Sequence, residues 1–216
     1  MNAVAARRSY ATQMQDLFAY YLLGEKGYFL DFGCWMPTDC NNTKMLEDLG
    51  WDGLLFDSDP QAVATCTSVR KAPAFCTQIL SPDFKSKFTS NLKQKNVDYI
   101  SIDIDMDSLE LLEYLIDTNV TFNALTFEHN LYSQGSKYKD PSMAILQKAG
   151  YYCLYENIIT IPSHCADSMR RYPDGQQLED WWINPAFFDD DLLTLYRKDI
   201  PFEKAIAQLK DHRELS

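Results

Sequence analysis

Hydrophobic and polar positions along the chain alternate between two periods. Met14, Leu17, Phe18, Tyr21 and Leu22 recur at helical spacing and stop before Gly24 and Gly27, which predicts a leading helix. An unbroken apolar run, Tyr28 to Phe32, then reads as a buried strand. Asn42 to Leu49 returns to the helical period and closes on Gly50, and Gly53 to Phe56 is a second strand ending in DSDP. The alternation continues with a helix over Gln61 to Val69, a short strand at Ala74 to Gln78 and a helix over Asp83 to Lys93. VDYISIDID, rich in β-formers, predicts the best-defined strand. SLELLEYLI follows as a helix capped by Ser108, with Leu109, Leu112 and Leu115 on one side. ALTFEHN reads as a fifth strand, SMAILQKAG as a helix ending on Gly150, and YYCLYENIITI as a strand or strand pair. Residues 162–185 read as loop, with Asp191 to Lys198 and Phe202 to Leu209 as short terminal helices. Strands and helices in strict alternation predict an α/β fold around a mostly parallel central sheet with helices on both faces. The expected organisation is a leading helical segment, residues 1–26, packing on one α/β domain of residues 27–216.

Composition narrows the partners. At 216 residues and 46% hydrophobic content the chain can bury a substantial core, and no repeat or linker divides it. No window approaches the roughly 18 apolar residues of a membrane span, and no signal core is present at the amino terminus, so a cytoplasmic protein is expected. A net charge of −11 repels polyanions and disfavours nucleic acid, whereas a neutral or cationic small molecule meets no such barrier. The six cysteines are scattered and form no CxxC pair, which reads as reduced thiols without a zinc site. The aromatic leading helix, with Tyr10, Phe18, Tyr20 and Tyr21, suits either its own sheet or a second copy in a homo-oligomer.

Candidate chemistry lies at the strand ends, because ligands of open parallel sheets bind beyond the carboxyl ends of the strands. Those ends carry Asp31 and Gly33; Asp57 and Asp59; Asp103, Asp105 and Asp107; and Glu128, His129 and Asn130. Asp57 stands 24 residues after Gly33, the separation at which an acid meets the two ribose hydroxyls of a nucleoside. The first loop, GCWMPTD, has one glycine where a pyrophosphate-binding turn has three, which argues against a dinucleotide and for an adenosine ligand without phosphates. S-adenosylmethionine is such a ligand, and its positive charges suit acidic surroundings.

The chain also resembles a known family. SYATQMQDLFAYYLLGEKGYFLDFGC is similar to the opening of FkbM-type, class I S-adenosylmethionine-dependent methyltransferases: a Gln-Asp pair on a leading helix, then Gly-Tyr-Phe and an acidic first strand. NNTKMLEDLGWDGLLFDSDP resembles their Ser-Asn-Thr, Gly-Trp-x-Gly and acid-x-x-Pro series. YISIDIDMDSLELLEYL, FEHN and LEDWWINP are similar to three later segments in the same order, so that the likeness covers roughly residues 9–185. It implies a Rossmann-like class I methyltransferase domain. It also implies a cofactor held by Asp31, Gly33, Cys34, Asp39, Asn42, Thr43, Asp57, Ser58, Asp103 and Asp105, and O-methylation of a small-molecule or sugar-type acceptor. The chain departs from the family at GCWMPTD, usually Gly-Ala-x-Asp-Gly, at Asp105-Met106, usually Glu-Gly, and at Asp57, more often Glu.

Several residues are candidates for the chemistry itself. His129, with Glu128 and Asp103, is the expected catalytic set, His129 acting as general base or else ordering the strand end. Asp103 and Asp105 share a face by the two-residue period of a strand. With Glu128 they are the alternative ligands of a divalent metal, which is an option and not the expectation. That set leaves open a metal-dependent hydrolase, and the fold also leaves open a degenerate methyltransferase kept as a binding module. Trp181, Trp182, Phe187 and Phe188 read as a lid or as a packed flank, with Glu179 and Asp180 as possible substrate contacts and residues 164–175, including Arg170 and Arg171, as a substrate loop.

Overall fold

The computed structural model describes residues 8–160 and 175–215. Its centre is an eight-stranded sheet, β1 Tyr28–Phe32, β2 Asp52–Asp57, β3 Ala74–Cys76, β4 Asn96–Ile102, β5 Thr121–Glu128, β6 Tyr152–Thr160, β7 Gln176–Ile183 and β8 Arg197–Lys198. The order across the sheet is β3-β2-β1-β4-β5-β7-β6-β8. The first five strands run parallel, and β7 inserts antiparallel between β5 and β6. The order reverses between β1 and β4, the place where crossover helices diverge to opposite faces and leave a crevice. β1 is buried at all five positions, as a strand flanked on both edges and covered on both faces must be.

Helices cover both faces. On one lie α1 Gln15–Leu23, α2 Lys44–Leu49, α3 Pro60–Val69 and the long terminal helix α9 Phe202–Leu215, enclosing Phe18, Phe29, Tyr99, Tyr155 and Trp181. On the other lie α4 Pro82–Asn91, α5 Ser108–Asp117 and α7 Ser136–Lys148, over Leu30, Phe56, Ile100, Phe127 and Trp182. Two short helices, α6 Leu131–Gln134 and α8 Asp190–Leu193, link the later elements. The aromatic face of α1 is used internally: Phe18 meets the Trp181 ring at 4.7 Å between centroids, and the helix packs along α9. Among the described residues no helix is long and apolar enough to cross a membrane.

The structure corrects two sequence expectations. Residues 176–183 form β7 and not loop, and its consecutive tryptophans point to opposite faces, so that Trp181 and Trp182 are fully buried core residues and not a lid. Of the expected substrate loop, residues 164–174 lie outside the described residues. Ser108 does not cap α5: the N-cap is Asp107 at φ 64°, and the Ser108 hydroxyl donates back to the Ile104 carbonyl at 2.6 Å. Cys34, Cys40, Cys66, Cys76 and Cys153 are free thiols.

Candidate functional site

The carboxyl ends of β1, β2 and β4 meet at Gly33. This residue has φ +90°, and a Cβ there would lie 1.9 Å from the Asp103 carbonyl oxygen. Glycine is therefore required for the two strand exits to touch. Around this contact lies a cavity of about 450 Å³ lined by Gly33, Trp35 and Cys40 from the first loop, Phe56 to Asp59 from β2, Gln78 and Ile79 beyond β3, and Asp103 to Met106 beyond β4. Of the residues expected to hold a cofactor, Gly33, Asp57, Ser58, Asp103 and Asp105 line this cavity.

The first three amides after β1 are all engaged within the protein. Gly33 and Cys34 N–H both donate to the Phe56 carbonyl, at 2.9 and 3.3 Å, and Trp35 N–H donates to Asp57 Oδ2 at 2.8 Å. A phosphate group bound where the strand turns into the loop relies on these donors, so this turn is not built as an anion cradle. The other Asp57 oxygen takes the Asp59 N–H at 2.9 Å, while Asp59 caps α3 through Gln61 and Ala62 N–H. Asp57 is thus held by two backbone donors at the cavity wall, its remaining lone pairs available to a ligand. Asp39 is exposed and lies apart from the cavity lining.

Asp31, Asn42, Thr43 and Cys34 form the layer behind the cavity. Thr43 Oγ1 donates to Asp31 Oδ2 at 2.6 Å and accepts from Arg70 Nη2 at 3.0 Å. Arg70 also bonds Asn41 Oδ1 at 2.9 Å and Glu47 Oε1 at 3.1 Å, and Asn41 Nδ2 brackets the loop through the Cys34 and Met36 carbonyls. Asn42 Nδ2 donates to Ser101 Oγ at 2.9 Å. The buried Arg70–Glu47 pair escaped the sequence reading because its members are 23 positions apart and no local pattern marks them. Burial raises the Asp31 carboxyl to about 6, against the Thr43 hydrogen bond and the Arg70 charge.

At the β5 end, Glu128 is hydrogen-bonded to Asp103, and burial together with the Asp103 charge pushes it up to about 10. It therefore carries a proton at neutral pH, and Asp103, itself raised by burial, is the acceptor. Glu179 stands opposite Glu128 in the β5–β7 register, accepts from Trp181 Nε1 at 2.7 Å and is raised by burial to about 8. His129 is buried beside them. Its Nε2 faces Asp180 Oδ1 at 3.2 Å and its Nδ1 accepts the Leu131 N–H at 3.2 Å, so neither ring nitrogen offers a free lone pair to a substrate. The shared-face argument for Asp103 and Asp105 does not hold, because β4 ends at Ile102 and both lie in the loop beyond it, Asp105 exposed. Among the described residues no group of three or more His, Cys, Asp or Glu is arranged to hold a metal ion, and Asp103, Asp105 and Glu128 do not converge as a ligand set.

These raised carboxyls set a pH dependence of stability. Asp16 and Asp31 at about 6, Glu179 at about 8 and Glu128 at about 10 all bind protons more tightly folded than unfolded. Between pH 5 and 9 the folded state holds the larger number of protons, so stability falls as pH rises. Asp180 is shifted the other way and acts only below about pH 4. A thermal melt is expected to lose about 5 °C between pH 6 and pH 8.5; a melting temperature that climbs over this interval would contradict the assignment.

No family model matches the chain, and no curated protein matches it in sequence. Solved structures match its fold. An O-methyltransferase from Bacillus cereus, in complex with SAH, is 12% identical, with 83% of this chain and 84% of that one covered at a TM-score of 0.54. A TehB-like SAM-dependent methyltransferase from Corynebacterium glutamicum is 13% identical, with 79% of this chain and 87% of that one covered at a TM-score of 0.50. At these identities the likeness is one of fold: a single α/β domain with a mostly parallel sheet, of the Rossmann-like methyltransferase kind.

Proposed function

We propose that the chain is an S-adenosylmethionine-dependent methyltransferase, of the FkbM type that its motifs resemble, acting on a hydroxyl of a small-molecule or sugar-type acceptor. The observation that carries this reading is the pairing of a strand-end carboxylate with a turn whose first three amides are spent. Asp57 offers acceptors for a ribose diol, while Gly33, Cys34 and Trp35 have no N–H left for a phosphate. A phosphate-free nucleoside fits that combination. Ser58 and Ile79 flank the same cavity and would border the base, and the Gly33–Asp103 contact would border the amino-acid end.

S-adenosylmethionine, when bound, supplies an electrophilic methyl group on a positively charged sulfur. The chain's part is chiefly to align donor and acceptor, which few side chains are needed to do. Asp103 lines the cavity and shares a proton with Glu128, so its carboxylate is the group placed to accept the proton of an acceptor hydroxyl. A carboxylate raised by burial is a stronger base than a solvated one and suits this task. His129 acts in this reading as a positioning residue, holding the β5 end through Asp180.

The test is calorimetric titration with S-adenosylmethionine, S-adenosylhomocysteine (SAH) and NAD in parallel. Micromolar binding of the first two with none of NAD is expected. Heat with NAD alone, or with none of the three, would sink the reading.

A further inference from the structure

Trp35 occupies a position in the first loop that nothing in the core requires. Its φ is +41°, a left-handed conformation unusual for a bulky side chain. The backbone on each side is tied down: its N–H donates to Asp57 Oδ2 at 2.8 Å, and its carbonyl accepts from Cys66 Sγ at 3.2 Å. The indole is 49% exposed and lines the cavity, whereas Trp51, Trp181 and Trp182 are buried. Met106, 68% exposed, lines the same cavity. Large apolar groups left exposed at the mouth of a cavity mark a surface that a ligand covers. Strain held in place by surrounding bonds points the same way.

We infer that Trp35 is a ligand-contact residue whose indole packs against the nucleoside half of the bound cofactor. This rests on the methyltransferase reading. The nucleoside end is singled out because the Trp35 amide itself holds Asp57, the proposed ribose acceptor, so the indole is rooted at that end of the cavity. An aromatic surface here supplies contact area in place of the close backbone approach that a glycine-rich loop would allow. Met106 offers a second apolar contact along the cavity lining.

Trp35→Gly isolates the side chain. Glycine keeps the N–H that holds Asp57 and adopts a positive φ without strain, so folding is expected to be preserved or improved. Affinity for SAH and for free adenosine is expected to fall together, by roughly 10-fold, the scale of one lost base–aromatic contact. Because Trp35 is the one exposed indole of the chain's four tryptophans, SAH is also expected to shield wild-type fluorescence from acrylamide. Unchanged SAH affinity in the variant, loss for SAH with adenosine unaffected, or no shielding would each overturn the inference. If the wild type bound neither SAH nor adenosine, the methyltransferase reading would fall first and take the inference with it.

Discussion

Asp57→Ala is expected to weaken S-adenosylmethionine and SAH binding by roughly 100-fold or more, the worth of two charge-assisted hydrogen bonds to a ribose diol. The variant should still fold. Asp57 sits at the cavity edge, and the Trp35 and Asp59 amides that it satisfies can turn to water in its absence. Asp57→Asn is not a mild alternative. Both carboxylate oxygens accept a backbone N–H, so an amide there must aim its own NH2 at one of those donors. It is expected to approach the alanine variant in affinity. Comparing the two ligands separates a hydrogen-bonding role from a purely coulombic one, because only S-adenosylmethionine carries the sulfonium charge. Equal losses support the ribose assignment; a loss confined to S-adenosylmethionine would mean that Asp57 acts as a counter-charge and that the ribose lies elsewhere.

The parallel half of the fold was legible because each element there follows one period. β1, β2 and β4 are apolar runs, and α5 shows a clean apolar face, so type and order follow from the chain alone. β7 was not legible. Its first half is polar and its last four residues are buried on both faces, so it shows neither the alternation nor the continuous apolar run that marks a strand, and its partners are distant in sequence. The site divides in the same way. Strand ends can be read, and this brought Gly33, Asp57, Ser58 and Asp103 to the cavity. Where a side chain points beyond a strand end cannot be read, which is why Asp31, Asn42 and Thr43 turn out to brace the loop from behind and Asp105 to line the cavity without forming a ligand set with Asp103 and Glu128. His129 and Asp180 carried a further ambiguity. A histidine next to acids signals proton transfer or structure equally well, and only the bonds at both ring nitrogens distinguish them.

Asp180→Ala is expected to give the largest loss of stability, about 3–5 kcal/mol, or roughly 10 °C in melting temperature. Asp180 is fully buried and gathers three donors: Lys139 Nζ at 2.5 Å, the Asn157 N–H at 2.7 Å and His129 Nε2 at 3.2 Å. Burial alone would raise its carboxyl, yet the His129 hydrogen bond, the neighbouring positive charges and the Asn157 amide outweigh it and hold the group below the usual carboxylate range. Removing it strands the Lys139 ammonium in the interior with, among the described residues, only Glu156, at 3.5 Å, for an acidic partner. Most of the expected loss is therefore the cost of an uncompensated charge, and a double substitution separates that cost from the worth of the pair. Asp180→Leu with Lys139→Met removes both charges and keeps apolar volume, and it is expected to recover at least half of the stability lost in Asp180→Ala. If the double variant were no more stable than Asp180→Ala, the loss would instead come from the unpaired Asn157 amide and the freed His129 ring. The β5–β7 junction beside the Glu128–Asp103 pair would then depend on the hydrogen bonds of Asp180 more than on its charge.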